Sequence, residues 1–308
     1  MPGVLAQAHA LSRIRLALAA ARAAQGAWRG IDRDSLANSW AVALGPVVAA
    51  VAGAQLAAAQ GTEPWLLRLL GRDPDQAESD RLDPLSLAGI TGDGTPLVQA
   101  LQVPMWTTLR LVGEGMPIVH AMARGQALLN LMVRTAVADA GRAADQVAMV
   151  ARPAVTSYIR VVEAGACSRC IILAGREYGH STGFLRHPRC HCGMEPVTDE
   201  HRPEAQDPQK VYDGMSDKQR RAAFGEAAAK AISEGADIGM VVNARRGMAT
   251  AAAFGRTVQA TTESTTKRGL AHKASRGRGP RLMPEEIFRQ ADNREHAVRL
   301  LRRYGYLF

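Results

Sequence analysis

The sequence predicts an α+β protein, mainly α, in which a helical N-terminal half precedes a small cysteine-bearing α+β module and a basic, partly extended C-terminal segment. Three observations carry this reading. Alanine supplies 55 of the 308 residues while aromatics make up only 5%, a balance that favours packed helices over a β-sandwich. One β-branched run stands out, Val155 to Val162. All four cysteines fall within 26 residues, Cys167 to Cys192. A composition of 47% hydrophobic and 22% charged residues excludes a wholly disordered chain.

Residues 1–150 read as a helical domain. Leu11 to Trp28 forms its first helix, with Leu11, Ile14, Leu18 and Ala21 at helical spacing on the inner face. Asp34 or Ser35 caps a second helix that enters the apolar run Trp40–Ala59. That run has the length of a membrane span, but Pro46 and Gln55 inside it and its alanine content favour a buried helix. Gly71-Arg72-Asp73-Pro74, Asp83-Pro84 and Gly92-Asp93-Gly94 mark an irregular connector near 61–96, with one short helix at Trp65–Leu70. Helical patterning returns over 97–150, with Leu128, Leu131, Met132 and Ala136 buried.

The α+β module spans 151–244. It opens on the strand at Val155, passes through the cysteines and a polar linker from Pro203 to Tyr212, and ends in a helix. Ser216 with Gln219 forms a capping box for that helix, which runs to Ser233 and stops at Gly235. Residues 245–308 form the basic segment. Its Thr-, Gly-, Lys- and Arg-rich part, 250–281, reads as extended or partly disordered, and Pro284-Glu285-Glu286 starts a terminal helix toward Leu301.

The net charge of +9 lies entirely in 245–308, because acidic and basic residues balance over 1–244. A neutral body with a basic tail suits a polyanion or an acidic protein surface, and both remain open. If the polyanion is double-stranded DNA, Arg256, Lys267, Arg268, Lys273, Arg276, Arg278 and Arg281 make non-specific phosphate contacts. The first residues lack a basic stretch before an apolar core, so no secretory leader and no membrane partner are expected.

The cysteines follow the pattern C-x2-C, 19 residues, C-x-C, with His187 three residues before Cys190. Two short arms that each place two ligands suit a tetrahedral zinc ion. Two ligand sets stay open: Cys167, Cys170, Cys190 and Cys192, or the same set with His187 replacing one of the C-x-C cysteines. His191 points to the opposite face of a strand and is the weaker candidate. Four protein ligands leave no position for water, so the zinc is structural. Disulfides are the competing use, disfavoured in a reducing compartment.

Catalytic patterns are sparse. H-E-x-x-H, the deaminase pair of H-x-E with P-C-x-x-C, and the phosphate-binding loop are absent. Gly179-His180-Ser181-Thr182-Gly183 matches G-x-S-x-G but lacks the strand–turn–helix context of a nucleophile elbow. The reading is therefore of a protein that is not an enzyme.

Cys167-Ser168-Arg169-Cys170-Ile171-Ile172-Leu173-Ala174-Gly175, with His187-Pro188-Arg189-Cys190-His191-Cys192, resembles the signature of the Mu F-like phage head morphogenesis family. Val241 to Gly247 and the ending around Leu300–Leu307 resemble versions from phages of actinobacteria. The resemblance implies a minor capsid protein incorporated with the portal. Its implied partners are the portal, other capsid and scaffold proteins, and packaged DNA. Its implied location is the capsid interior near the portal, with the host cytoplasm during assembly. The alternatives are a capsid maturation protease, with Ser181 and His180 or His201 as its candidate residues, a zinc-supported nuclease, and a host DNA-binding zinc protein reading bases through Arg176, Arg186 and Arg189.

Overall fold

Small side chains let helix axes approach closely, and the first half of the chain is built on that property. The computed structural model describes residues 3–71, 81–163, 165–183, 187, 190, 192–277 and 279–308. These form an α+β structure that is mainly helical, in two units: Met1–Ala164 with Gly175–Ala205, and Gly165–Ala174 with Gln206–Phe308.

In the first unit, helices α1 (Val4–Arg29), α2 (Leu36–Gln60) and α6 (Ile118–Val150) pack on one another. Between α2 and α6 lie α3 (Thr62–Leu70), a 3-10 turn at Pro84–Leu87, α4 (Leu97–Ala100) and α5 (Val103–Gly113). The core joins Ala17, Ala20, Ala21 and Ala24 of α1 to Trp40, Leu44 and Val51 of α2 and to Leu129, Val133 and Val137 of α6. Trp28 meets Trp40 edge to face at 5.2 Å. The inner face of α1 is thus rotated from the expected one. Leu11 is exposed, and Arg13 takes a buried place because its guanidinium has an acid to meet. On α6, Ala136 is buried as expected and Met132 packs partly buried against the core, but Leu129 and Val133 take the inner positions expected of Leu128 and Leu131.

Helix α2 corrects a second expectation. One face is buried, but Ala41, Val42, Gly45 and Ala49 are exposed. By length and composition, residues Leu36–Leu70 are long and apolar enough to cross a membrane. Pro46 sits inside α2, where its ring removes the amide that would bond to the Val42 carbonyl. That carbonyl lies on the exposed face, where water can satisfy it. Ser35 precedes α2 as expected, without a side-chain capping bond. Buried Gln55 donates to the Ile90 carbonyl (2.7 Å) and accepts from the Gly89 amide (2.9 Å), which ties down the irregular connector.

A three-stranded antiparallel sheet completes this unit, in the order β2–β1–β3, from β1 (Ser157–Val162), β2 (Glu177–Gly179) and β3 (Cys192–Val197). Its register sets Val162 opposite Cys192 and Arg160 opposite Met194.

The second unit contains α7 (Ser168–Ile171), α8 (Pro208–Asp213), α9 (Asp217–Phe224), α10 (Glu226–Ser233) and α11 (Ile238–Ala244). The Ser216–Gln219 capping box forms. The helix it opens breaks at Gly225, whose φ of +84° no other residue adopts cheaply, and restarts as α10. The polar stretch ahead of it is not wholly a linker, since Asp207 caps α8 and Tyr212 is buried. The described residues of 250–281 are extended in part, as expected, and are ordered into named elements. Strands β4 (Met248–Ala253) and β5 (Arg256–Thr261) form a hairpin, followed by α12 (Leu270–Ser275) and β6 (Arg281–Leu282), in the sheet order β4–β5–β6. The terminal helix is two helices, α13 (Pro284–Gln290) and α14 (Arg294–Arg303), the second capped by Asn293.

Candidate metal centre

The C-x2-C arm is shaped by a helical start. Cys167 occupies the N-cap of α7 with extended backbone, and its carbonyl accepts from the amides of Cys170 and Ile171, both at 3.0 Å. That turn brings the two side chains to one side. Beyond the arm, paired bonds tie Gly175 and Arg176 to β1: Gly175 donates to the Arg160 carbonyl, and the Arg160 amide donates to the Arg176 carbonyl, each at 2.9 Å. The second arm is shaped by another turn, in which the Cys190 amide donates to the His187 carbonyl at 3.1 Å. β3 then begins at Cys192.

The ligand atoms of Cys167, Cys170 and His187 lie within 4.8 Å of one another, as do those of Cys170, Cys190 and Cys192, so Cys170 belongs to both groups. Cys170, Cys190 and Cys192 are buried, and none of the four thiols is in a disulfide. Sulfur atoms about 2.3 Å from one tetrahedral ion sit roughly 3.8 Å apart, so the spacing and the soft N/S donor set fit a closed tetrahedral site. His191, Arg186 and Arg189 lie outside the described residues.

Two arginines beside the cysteines went unseen in the sequence. Arg160, 2% exposed, donates from its guanidinium to the Cys192 sulfur at 3.3 Å. Buried Arg142 of α6 donates to the Cys190 carbonyl at 3.1 Å and pairs with Asp139. A cation at the sulfur favours the thiolate, the form that binds metal. Arg160 interrupts an otherwise apolar strand, and that interruption was the readable signal.

Glu163 and Glu195 are buried nearby on β1's continuation and on β3. Burial, with the charge of Glu195, pushes the Glu163 carboxyl up to about 7. Burial also raises Glu195, against the attraction of His201 at 3.6 Å. His180 uses Nδ1 on the Thr156 carbonyl, and Ser181 is exposed in the turn after β2.

The expected phosphate contacts separate in the structure. Lys267, Arg268, Lys273 and Arg276 are exposed. Arg256 is half-exposed and ion-paired to buried Glu286. Arg281 is a correction. It is 4% exposed, and its guanidinium donates to the carbonyls of Tyr304 (3.0 Å), Gly305 (3.3 Å) and Glu263 (2.9 Å) while covering the Tyr306 ring. A charge this buried persists only because carbonyls surround it, and no phosphate can reach it. Arg278 lies outside the described residues.

Residues 105–218 match the family model of the VG15 protein, a phage gene-15 family. The matched segment is a little over a third of the chain and includes the whole cysteine block. The match supports a phage-encoded protein, associated with the virion or the host cell. No curated protein and no solved structure matches the chain.

Proposed function

We propose that this chain is a structural head protein of a tailed phage or prophage, of the Mu F-like type. In this reading it enters the procapsid with the portal, beside scaffold and capsid proteins, and lies in the capsid interior near the portal. It serves DNA packaging, and its role is structural rather than enzymatic. The supporting observation is that the convergent cysteine–histidine donors sit inside the segment that matches a phage family.

The metal is zinc in this reading. Cys167, Cys170, Cys190 and Cys192 would hold it, with His187 as a fifth donor competing for one C-x-C position. A closed set of soft donors supplies folding free energy and no open coordination site. The chain's own contribution is to hold Cys192 as thiolate through Arg160 and to fix the Cys190 backbone through Arg142.

Deletion of the gene from the phage genome tests the role. The expected result is procapsids that assemble but yield few DNA-filled heads, with the protein present beside portal in purified wild-type particles at low copy. Absence of the protein from particles, with full yield from the deletion, overturns the proposal.

A further inference from the structure

Apart from Arg281, held by carbonyls, and Arg278, outside the described residues, the cations of residues 245–308 fall into two classes. Arg245 pairs with Glu285, Arg246 with Glu263, Arg256 and Arg289 with Glu286, and Arg294 with Glu234. Lys267, Arg268, Lys273 and Arg276, around α12, have no ion pair among the described residues. The same is true of Arg299, Arg302 and Arg303, all exposed on α14. Glu234 and acids of the same segment thus neutralise one set of cations and leave the other as a concentrated positive field.

The two basic elements are held at a fixed spacing. Gly305, just beyond α14, has φ +66°, and a side chain there would come within 2.7 Å of the Ala271 Cα on α12. Arg281 of β6 binds the carbonyls of Tyr304 and Gly305, securing the end of α14 from the other side. Lys267, Arg268, Arg302 and Arg303 are each within four residues of this Ala271–Gly305 approach.

Seven like charges held near one another repel, and no ion pair among the described residues offsets that. A polyanion does. We propose that the face formed by α12, the turn before it and the C-terminal part of α14 binds the phosphate backbone of double-stranded DNA. The C-terminal helix arginines belong to this face, and Arg256 and Arg281 do not. Duplex DNA fits better than an acidic protein surface because a protein interface needs an apolar centre, and Leu270 is the one exposed large apolar side chain among residues 262–277. A duplex presents one phosphate charge per about 1.7 Å of axis and asks only for cations on a rigid support. The inference concerns DNA of any sequence and source, so it stands or falls apart from the assembly role.

The test uses the full chain and a 30-base-pair duplex, followed by fluorescence anisotropy from 50 to 300 mM NaCl. With seven phosphates engaged, log affinity should fall by about 6 per log unit of salt. Replacing Lys267, Arg268, Lys273 and Arg276 by Gln should reduce that slope by about 4, and replacing Arg299, Arg302 and Arg303 by Gln by about 3. Arg246→Gln, which removes a cation already paired with Glu263, should leave the slope unchanged, and a shuffled duplex should bind equally. Circular dichroism verifies that each variant is folded. The proposal is overturned if folded multiple variants keep the wild-type slope, or if the chain ignores the duplex at 50 mM salt. Tighter binding to polyglutamate than to DNA also overturns it and reassigns the face to an acidic protein.

Discussion

Two polar regions lie inside the first unit, and they are built on opposite terms. Where α1, α3 and α6 meet, Asp145 is fully buried and every oxygen is used. It accepts two bonds from Arg13, one of them at 2.6 Å, and others from Thr62 (3.2 Å) and His9 (3.1 Å), whose ring stacks on Trp65. Burial works to raise the Asp145 carboxyl, but Arg13 and His9 outweigh it and hold the group below the usual carboxylate range. Burial lowers the His9 imidazole, keeping it neutral. At the β1–β3 sheet the balance is reversed. Glu163 is buried with one carboxyl oxygen lacking a hydrogen bond among the described residues, and a second acid, Glu195, stands near it. A saturated network holds helices in place. An unsatisfied one costs free energy and persists where a function requires it.

The sharpest way to break this contrast is Cys170→Ser. Cys170 belongs to both donor groups, so its loss should abolish metal binding, on the order of 10 kcal/mol of coupled folding free energy. Elemental analysis should fall from about one zinc per chain to none, and limited proteolysis should cut within 155–200 while the N-terminal helices resist. Native protein that carries no metal would sink the zinc assignment. Asp145→Asn comes next. It leaves the Arg13 guanidinium buried without its counter-charge and should cost about 3–5 kcal/mol in urea unfolding; a loss under 1 kcal/mol would mean the network holds nothing together.

The smallest effect belongs to Glu163 and has the opposite sign. Its folded value of about 7 lies above its unfolded value of 4.5, so the folded chain holds the proton more tightly. Its stabilising contribution is complete below about pH 4.5 and is lost as pH rises to about 7. Glu163→Gln should therefore stabilise the protein at pH 8 by up to about 3 kcal/mol and change little at pH 4.5. Equal denaturation midpoints for both chains at pH 8 would remove Glu163 from the argument.

Local chemistry was legible in the sequence and partnership across it was not. The Ser216–Gln219 box depends on near neighbours and is legible in the spacing, and the short C-x2-C and C-x-C spacings point to the cysteine–histidine groups that could hold a metal ion. Arg13 and Asp145 are 132 residues apart, so α1 was read from its leucines and its inner face was set wrongly. Arg160 could be placed in a strand, but not on the Cys192 sulfur 32 residues later. The β4–β5 hairpin was missed because alanine, threonine and arginine dominate it, although Val258 and Ala260 alternate with exposed neighbours as a strand requires.

Cys192 is at once a candidate metal donor and the residue that faces Val162 across the sheet. β1 and β3 must find each other over a closed loop of about thirty residues, a slow and error-prone step with few local cues. A slip of one position would turn the Cys192 sulfur to the opposite face of the sheet, away from Cys170. Only the correct alignment completes the ligand set. In the proposed reading, the placing of Cys192 would thus tie metal binding to strand register, so that correctly paired chains could hold the ion and slipped chains would stay open to proteolysis.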